Sequence, residues 1–314
     1  MSVRVAYIGG LGRSGSTLLE LCIGSLPGTC SIGEVVHLWE RGLRDNQHCG
    51  CGQAFHACPF WTAVGDAAFG GWERVAVDEV LRLKASVDRN RFVPRLLAPR
   101  SSGRIGPDLL AYTGYYSAVY RAALQVSGAQ VVVDSSKHVS LASCLRHDEA
   151  VDLRLVHAVR DSRGTTYSWS KEVVRPEVTD RVELMPRYPA RTAASLWMAH
   201  NGMLEALAAT GVPRLLVRYE DFVTAPARTL RRVADHVGVE DAPVVEGDTV
   251  TLSPQHTVAG NPMRFQTGPV RLRLDQAWRR RLPPWERRLA TALTAPLLLR
   301  YGYPLRSSAE VSRL

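Results

Sequence analysis

Lysine is almost missing from this chain of 314 residues: only Lys84, Lys137 and Lys171 interrupt a basic complement of 39 that is otherwise arginine. Such a bias follows from genomic base composition. It singles out each retained lysine, because an ammonium is a compact charge that can approach a reacting atom, whereas a guanidinium is a planar fork. Long apolar runs are missing too. The longest near the C-terminus, 289–299, falls well short of the roughly 20 residues that a bilayer span needs. Met1 leads through Arg4 directly into a strand-like segment, without the apolar stretch and cleavage site of a secretory leader. These absences exclude an integral membrane segment, and a chain of this length is no small disulfide scaffold, so a cytoplasmic location is expected. Aromatic residues make up only 7%. That is thin for the stacking platforms of a nucleic-acid binder, and no nucleic-acid partner is expected.

What is present is a globular composition, 46% hydrophobic and 22% charged, sufficient to bury a sizeable core. The net charge of +9 and pI near 9.5 favour an anionic ligand or surface. The residues from Val3 to Gly9 are β-branched-rich, end in glycine and read as a buried strand. A glycine-rich turn follows, and then Leu18, Leu19, Cys22, Ile23 and Leu26 recur at helical spacing until Pro27 and Gly28 stop them. Further strands are expected at 130–134, 153–160 and 214–219, with helices between them, the clearest at 189–209 and 226–237. Strands alternating with helices predict an α/β domain with a parallel sheet. There is no internal repeat and no long linker, so one domain spanning 1–314 is expected. Two stretches fit that core poorly: 47–61, dense in Cys, His and aromatic residues, and 89–104, with five arginines and no acid. The second reads as a solvated loop or as a lid that guides an anionic substrate.

The turn from Gly10 to Thr17 follows a strand and opens a helix, the arrangement in which backbone N–H groups converge on an anion. It nearly matches the Walker A pattern G-x-x-x-x-G-K-[ST], but Ser16 stands where that motif has lysine. The missing ammonium argues against ordinary ATP or GTP hydrolysis, and Arg13 offers another cation in the same turn. The run from Arg13 to Leu19 resembles the 5′-phosphosulfate loop of sulfotransferases that use 3′-phosphoadenosine 5′-phosphosulfate (PAPS). The run from Val159 to Ser168 is similar to that family's 3′-phosphate motif, which implies Arg160 and Ser168 as ligands of the ribose 3′-phosphate. The segment around Tyr219 resembles the one whose tyrosine lies beside the adenine. Residues 256–265 resemble a late loop of bacterial members that closes over the nucleotide, which implies Gly260, Asn261 and Arg264 as contacts. The resemblance covers nearly the whole chain. It implies a P-loop NTPase-like three-layer fold with a central, mainly parallel sheet, and acceptor-side insertions around 41–125 and 171–191.

The same resemblance assigns the chemistry. Ser14, Gly15, Ser16 and Thr17, with Arg13, would hold the 5′-phosphosulfate. Glu34, just after the first helix, matches the catalytic glutamate of tyrosylprotein and carbohydrate members and would be the base. His37 is the substitute three residues on, and His138 a weaker candidate. Lys137 matches a lysine near the bridging oxygen, with Asp134 placed to orient it and Arg13 sharing the leaving-group charge. One departure stands out: tyrosylprotein members carry an arginine four residues after the motif serine, where this chain has Glu172 beside Lys171. The expected reaction moves a sulfonate from PAPS to a hydroxyl of a small-molecule, lipid or carbohydrate acceptor, leaving 3′-phosphoadenosine 5′-phosphate (PAP), and requires no metal. Cys22 reads as a packed thiol. Cys49, Cys51 and Cys58, with His48 and His56 nearby, admit three readings: reduced thiols, a structural zinc or a disulfide.

Overall fold

The computed structural model describes residues 2–99, 106–173 and 184–305. Five strands build the central sheet: β1 (Val3–Gly9), β2 (Thr29–Gly33), β3 (Val131–Lys137), β4 (Val151–Val159) and β5 (Arg214–Arg218). All pair in parallel, in the order β2-β3-β1-β4-β5. Parallel neighbours need crossover connections, and here those are helices on both faces. The strand period of two sorts the core. Val5, Tyr7, Val132 and Leu155 point to one face, while Ala6, Ile8, Val131, Val133 and Val156 point to the other.

The helices are α1 (Ser16–Ile23), α2 (Pro59–Phe69), α3 (Val77–Val87), α4 (Val93–Leu96), α5 (Pro107–Ser127), α6 (Val139–Leu145), α7 (Ser162–Ser170), α8 (Ala190–Ala209), α9 (Tyr219–Thr224), α10 (Pro226–Val237), α11 (Trp278–Arg281) and α12 (Pro284–Arg300). Apolar residues of α2, α3, α5 and α6 cover the first face, and those of α1 and α10 cover the second. This three-layer arrangement, with a glycine-rich turn leaving the central strand β1, is the P-loop NTPase-like fold. A small antiparallel sheet, β6 (Val245–Glu246), β7 (Thr249–Leu252) and β8 (Gly268–Arg271), lies late in the chain.

Sequence periodicity located β1, β3, β4, β5, α8 and α10 to within a few residues. It missed β2, whose sequence Thr-Cys-Ser-Ile-Gly lacks a β-branched run and which shifts register against β3 between Ser31 and Gly33. Most of 41–125 is helical, including the 21-residue α5. In the arginine-rich stretch, Val93 and Leu96 are buried while Arg91 and Arg95 stack on Phe92, and none of the described arginines lines the cleft discussed below. Arg100 and Arg104, like residues 174–183 of the second expected insertion, lie outside the described residues.

Candidate active site

Parallel sheets of this type open a crevice at the C-terminal ends of the strands, where the order reverses beside the first strand. Here β1 sits between β3 and β4, so the turn after β1, the end of β3 and the end of β4 meet around one cleft of about 650 Å³. The cradle occupies its floor. Gly15 caps α1 at φ 80° with no side-chain cap, and a Cβ there would lie 2.6 Å from the Tyr219 ring. The N–H groups at the start of α1 have no side-chain cap and border the cleft, where the helix dipole favours negative charge. Ser14 Oγ donates to the Leu11 carbonyl at 2.7 Å and closes the turn, and Ser16 and Thr17 begin the helix beneath it. Arg13 adopts φ 73°, a left-handed backbone that costs a non-glycine residue of order 1 kcal/mol or more. Its guanidinium lies 5.4 Å from the Trp169 ring centroid and 3.3 Å from Met185 Sδ. Burial lowers its pKa.

One wall is built where β4 runs into α7. Arg160, 6% exposed, lies 4.5 Å over the Tyr219 ring. Its Nη2 donates to the Asp275 carbonyl at 3.0 Å and sits 3.2 Å from that residue's carboxylate, while Nη1 donates to the Arg13 carbonyl at 3.4 Å. Lys171 approaches the same carboxylate at 3.3 Å and stacks over Tyr167, and Glu172 pairs with Arg187. Burial alone would raise the Asp275 carboxyl, but the Ala277 N–H and the cations Arg160 and Lys171 outweigh it, and its pKa is lowered. Asp275 thus holds two cations together. Sequence reasoning missed it, because an aspartate among the arginines of 271–281 carries no local signal. Ser168, on α7, lines the cleft beside Arg160.

The opposite wall follows from strand order. Because β2 lies next to β3, Glu34 after β2 and Lys137 at the end of β3 are brought side by side. Lys137 Nζ donates to Glu34 Oε1 in an ion pair whose side chains are 12% and 15% exposed. Lys137, like Arg13, takes a left-handed backbone, φ 67°. His37 closes a tight turn that starts at Glu34, and its Nε2 lies 3.9 Å from Glu34 Oε2. Burial, reinforced by Arg41 and other nearby positive groups, pushes its pKa down to about 2. His138 sits edge-on to it, also lowered by burial, and His200 is pushed down to about 4. All three imidazoles are neutral near pH 7.

Two expectations need correction. Asp134 does not orient Lys137: it points to the opposite side of the strand, accepting from Tyr120 Oη at 2.6 Å and the Ser136 N–H at 2.7 Å. The carboxylate on Lys137 is Glu34. Arg264 does not line the cleft either. It is 2% exposed and donates to the carbonyls of Thr257 and His48 at 2.8 and 2.7 Å, so it braces the loop from behind. Gly260 and Asn261 do line the cleft, and a Cβ on Gly260 would sit 3.1 Å from Glu34 Oε1. A further buried carboxyl, Glu20, accepts from Ser135 and Ser31 below the cradle at 2.5 and 2.9 Å, and burial raises its pKa to about 7.

No curated protein matches this chain in sequence. In fold it is similar to the sulfotransferase domain from the curacin biosynthetic pathway, with a TM-score of 0.51 and 14% identity over 97% of this chain and 99% of that one. It is also similar to the sulfotransferase STF9 from Mycobacterium avium, with a TM-score of 0.40 and 14% identity over 77% of this chain and 66% of that one. A family model described as the sulfotransferase family matches residues 6–243, from β1 past α10. That match spans most of the chain, and this protein belongs to the sulfotransferase family.

Proposed function

We propose that the protein transfers a sulfonate group from PAPS to a hydroxyl of a small-molecule, lipid or carbohydrate acceptor. The observation that carries this reading is the Glu34–Lys137 pair, which shares a cleft with the cradle after β1 and with Arg160. The cradle, Arg13 and the first N–H groups of α1 hold the 5′-phosphosulfate. Arg160 and Ser168 take the 3′-phosphate, with Lys171 close enough to assist. Tyr219 flanks the adenine, and Gly260 and Asn261 close over the nucleotide. The cleft volume, about 650 Å³, lies within the usual range for small-ligand sites.

In the reaction the acceptor oxygen bonds to sulfur as the bond from sulfur to the bridging phosphate oxygen breaks, and PAP departs. Glu34 accepts the proton of the acceptor hydroxyl. Negative charge grows on the leaving oxygen in a loose transition state, and Lys137, Arg13 and the cradle N–H groups meet it. Binding of the donor competes with Glu34 for Lys137, which frees the carboxylate at the moment the acceptor arrives. Arg41, Tyr188, Leu196 and His200 line the same cleft and offer the acceptor a surface mixing one cation with apolar and aromatic groups. Of the described residues in 41–125 and 171–191, the segments expected on the acceptor side, Arg41, Met185 and Tyr188 line the cleft.

Calorimetric titration with PAP, beside ATP with and without Mg²⁺, tests the nucleotide site. Micromolar, metal-independent binding of PAP supports it and justifies a screen of acceptors with labelled PAPS. Failure to bind PAP, with Mg²⁺-dependent binding of ATP instead, overturns it in favour of phosphotransfer.

A further inference from the structure

Outside the cleft, three cysteines and a histidine converge on a single point. Cys49 and Cys51 stand in a turn that the Gly52 N–H closes onto the Cys49 carbonyl at 2.8 Å, and Cys58 is the residue from which α2 starts. His256 arrives from the far end of the sequence. His48 and His56, the histidines near the cysteines in sequence, are elsewhere: His48 pairs by its backbone with Ala54, and His56 Nε2 lies 2.9 Å from the Leu43 carbonyl.

The Cys51 and Cys58 sulfurs are 3.6 Å apart and those of Cys49 and Cys58 3.7 Å. His256 Nδ1 lies 3.3 Å from Cys58 Sγ and 3.7 Å from Cys49 Sγ, and all four ligand atoms fall within 4.8 Å of one another. A tetrahedral zinc with Zn–S of about 2.3 Å and Zn–N of about 2.05 Å requires S···S edges near ~3.8 Å and S···N edges near ~3.6 Å. Four of the six edges match these values to within about 0.3 Å, and the other two, Cys49–Cys51 and Cys51–His256, are at most 4.8 Å. They are far from the roughly 2.05 Å of a disulfide bond. Packed thiols have no reason to aim three sulfurs and a ring nitrogen at a common centre.

The surroundings are those of a structural site. The His256 ring stacks on Phe60 with centroids 4.8 Å apart, which orients the ring, and its backbone carbonyl accepts from Trp61 Nε1 at 3.0 Å. All four positions come from the protein, which leaves no open coordination position.

We propose that Cys49, Cys51, Cys58 and His256 bind one zinc ion that staples the turn of residues 49–58 to the loop carrying His256. Two residues after His256, Val258 bridges Gly33 and accepts the Glu34 N–H at 2.7 Å, and Gly260 and Asn261 follow at the cleft. The metal therefore holds the loop that bounds the candidate site without entering the reaction. Three sulfurs and one nitrogen in a tetrahedron select zinc over harder divalent ions.

The test needs no variant to begin. Protein purified without chelator is expected to carry about one zinc per chain by elemental analysis, and to release it when a mercurial titrates the thiols. Cobalt exchanged for zinc should give the visible bands and sulfur-to-metal charge transfer of a tetrahedral thiolate site. Cys51→Ser and His256→Ala should lower the zinc content below about 0.2 per chain, while Cys22→Ser, in the core away from the cluster, keeps it. Wild-type protein that holds less than about 0.1 zinc per chain after incubation with the metal overturns the proposal. So does a mass lower by two hydrogens under non-reducing conditions, with a disulfide mapped to these cysteines. Should the variants fail to fold, the wild-type metal content and the cobalt spectrum decide.

Discussion

Truncating Arg160 to alanine is the sharpest probe of the nucleotide site. The guanidinium is buried and already fixed by Asp275, by the Arg13 carbonyl and by the Tyr219 ring, so a phosphate that meets it loses little further freedom in the side chain. A bidentate arginine–phosphate contact contains two charge-assisted hydrogen bonds, each about 1.5–3 kcal/mol. Against this stands the release of part of the Asp275 pair, which leaves a net of about 3–4 kcal/mol, or roughly 10²–10³-fold in Kd. The fold should survive, because Asp275 retains Lys171 at 3.3 Å and the Ala277 N–H at 3.0 Å and is not left as an unpaired charge. Calorimetry with two ligands isolates the contact. PAP should weaken by that factor, whereas 5′-AMP, which lacks the 3′-phosphate, should change by less than about threefold. Arg160→Lys, with the charge but not the fork, should fall between, at about 10–30-fold. Equal losses for PAP and 5′-AMP would refute the assignment, since Arg160 would then act through the shape of the site and not through the 3′-phosphate.

Asp275→Asn should tighten PAP by roughly 3–10-fold, because it removes the anion that competes for Arg160 and Lys171; unchanged or weaker binding in the same titration counts against that competition. Glu34→Gln should lower kcat by about 10²–10⁴-fold while PAP binds within about threefold of wild type, measured as PAP release once an acceptor is found. A kcat within tenfold of wild type would remove Glu34 as the base. His157, wholly buried with Nε2 2.8 Å from Asn201 Oδ1, is pushed down to about 4 by burial. An unfolded histidine takes up its proton near about 6.5, so between the two values the unfolded chain binds more protons and stability falls as the pH drops. His157→Gln should flatten the dependence of Tm on pH in that window, and an unaltered slope would show that the proton uptake lies elsewhere.

The sequence by itself determined the elements whose physics is local. β1, the turn to Thr17 and the start of α1 are contiguous, so glycine spacing and apolar periodicity were enough to expect an anion cradle and to see that Ser16 replaces the Walker lysine. The strands β3, β4 and β5 and the helix α10 were legible from apolar runs and from the spacing of Leu230, Val233 and Val237. Family resemblance added Arg160, Tyr219, Glu34 and Lys137 by motif, without saying how they meet. Tertiary structure alone decided that Glu34 and Lys137 form a pair, because it depends on β2 lying beside β3, and β2, with the sequence Thr-Cys-Ser-Ile-Gly, has too few apolar and β-branched residues to announce itself. It alone set Asp275 against Arg160, turned Asp134 toward Tyr120 and Arg264 toward backbone carbonyls, and exchanged the nearby His48 and His56 for His256 at the cysteine cluster. These contacts join residues far apart in the chain. Sheet order and loop packing bring them together, and neither leaves a periodic trace in the residues that meet.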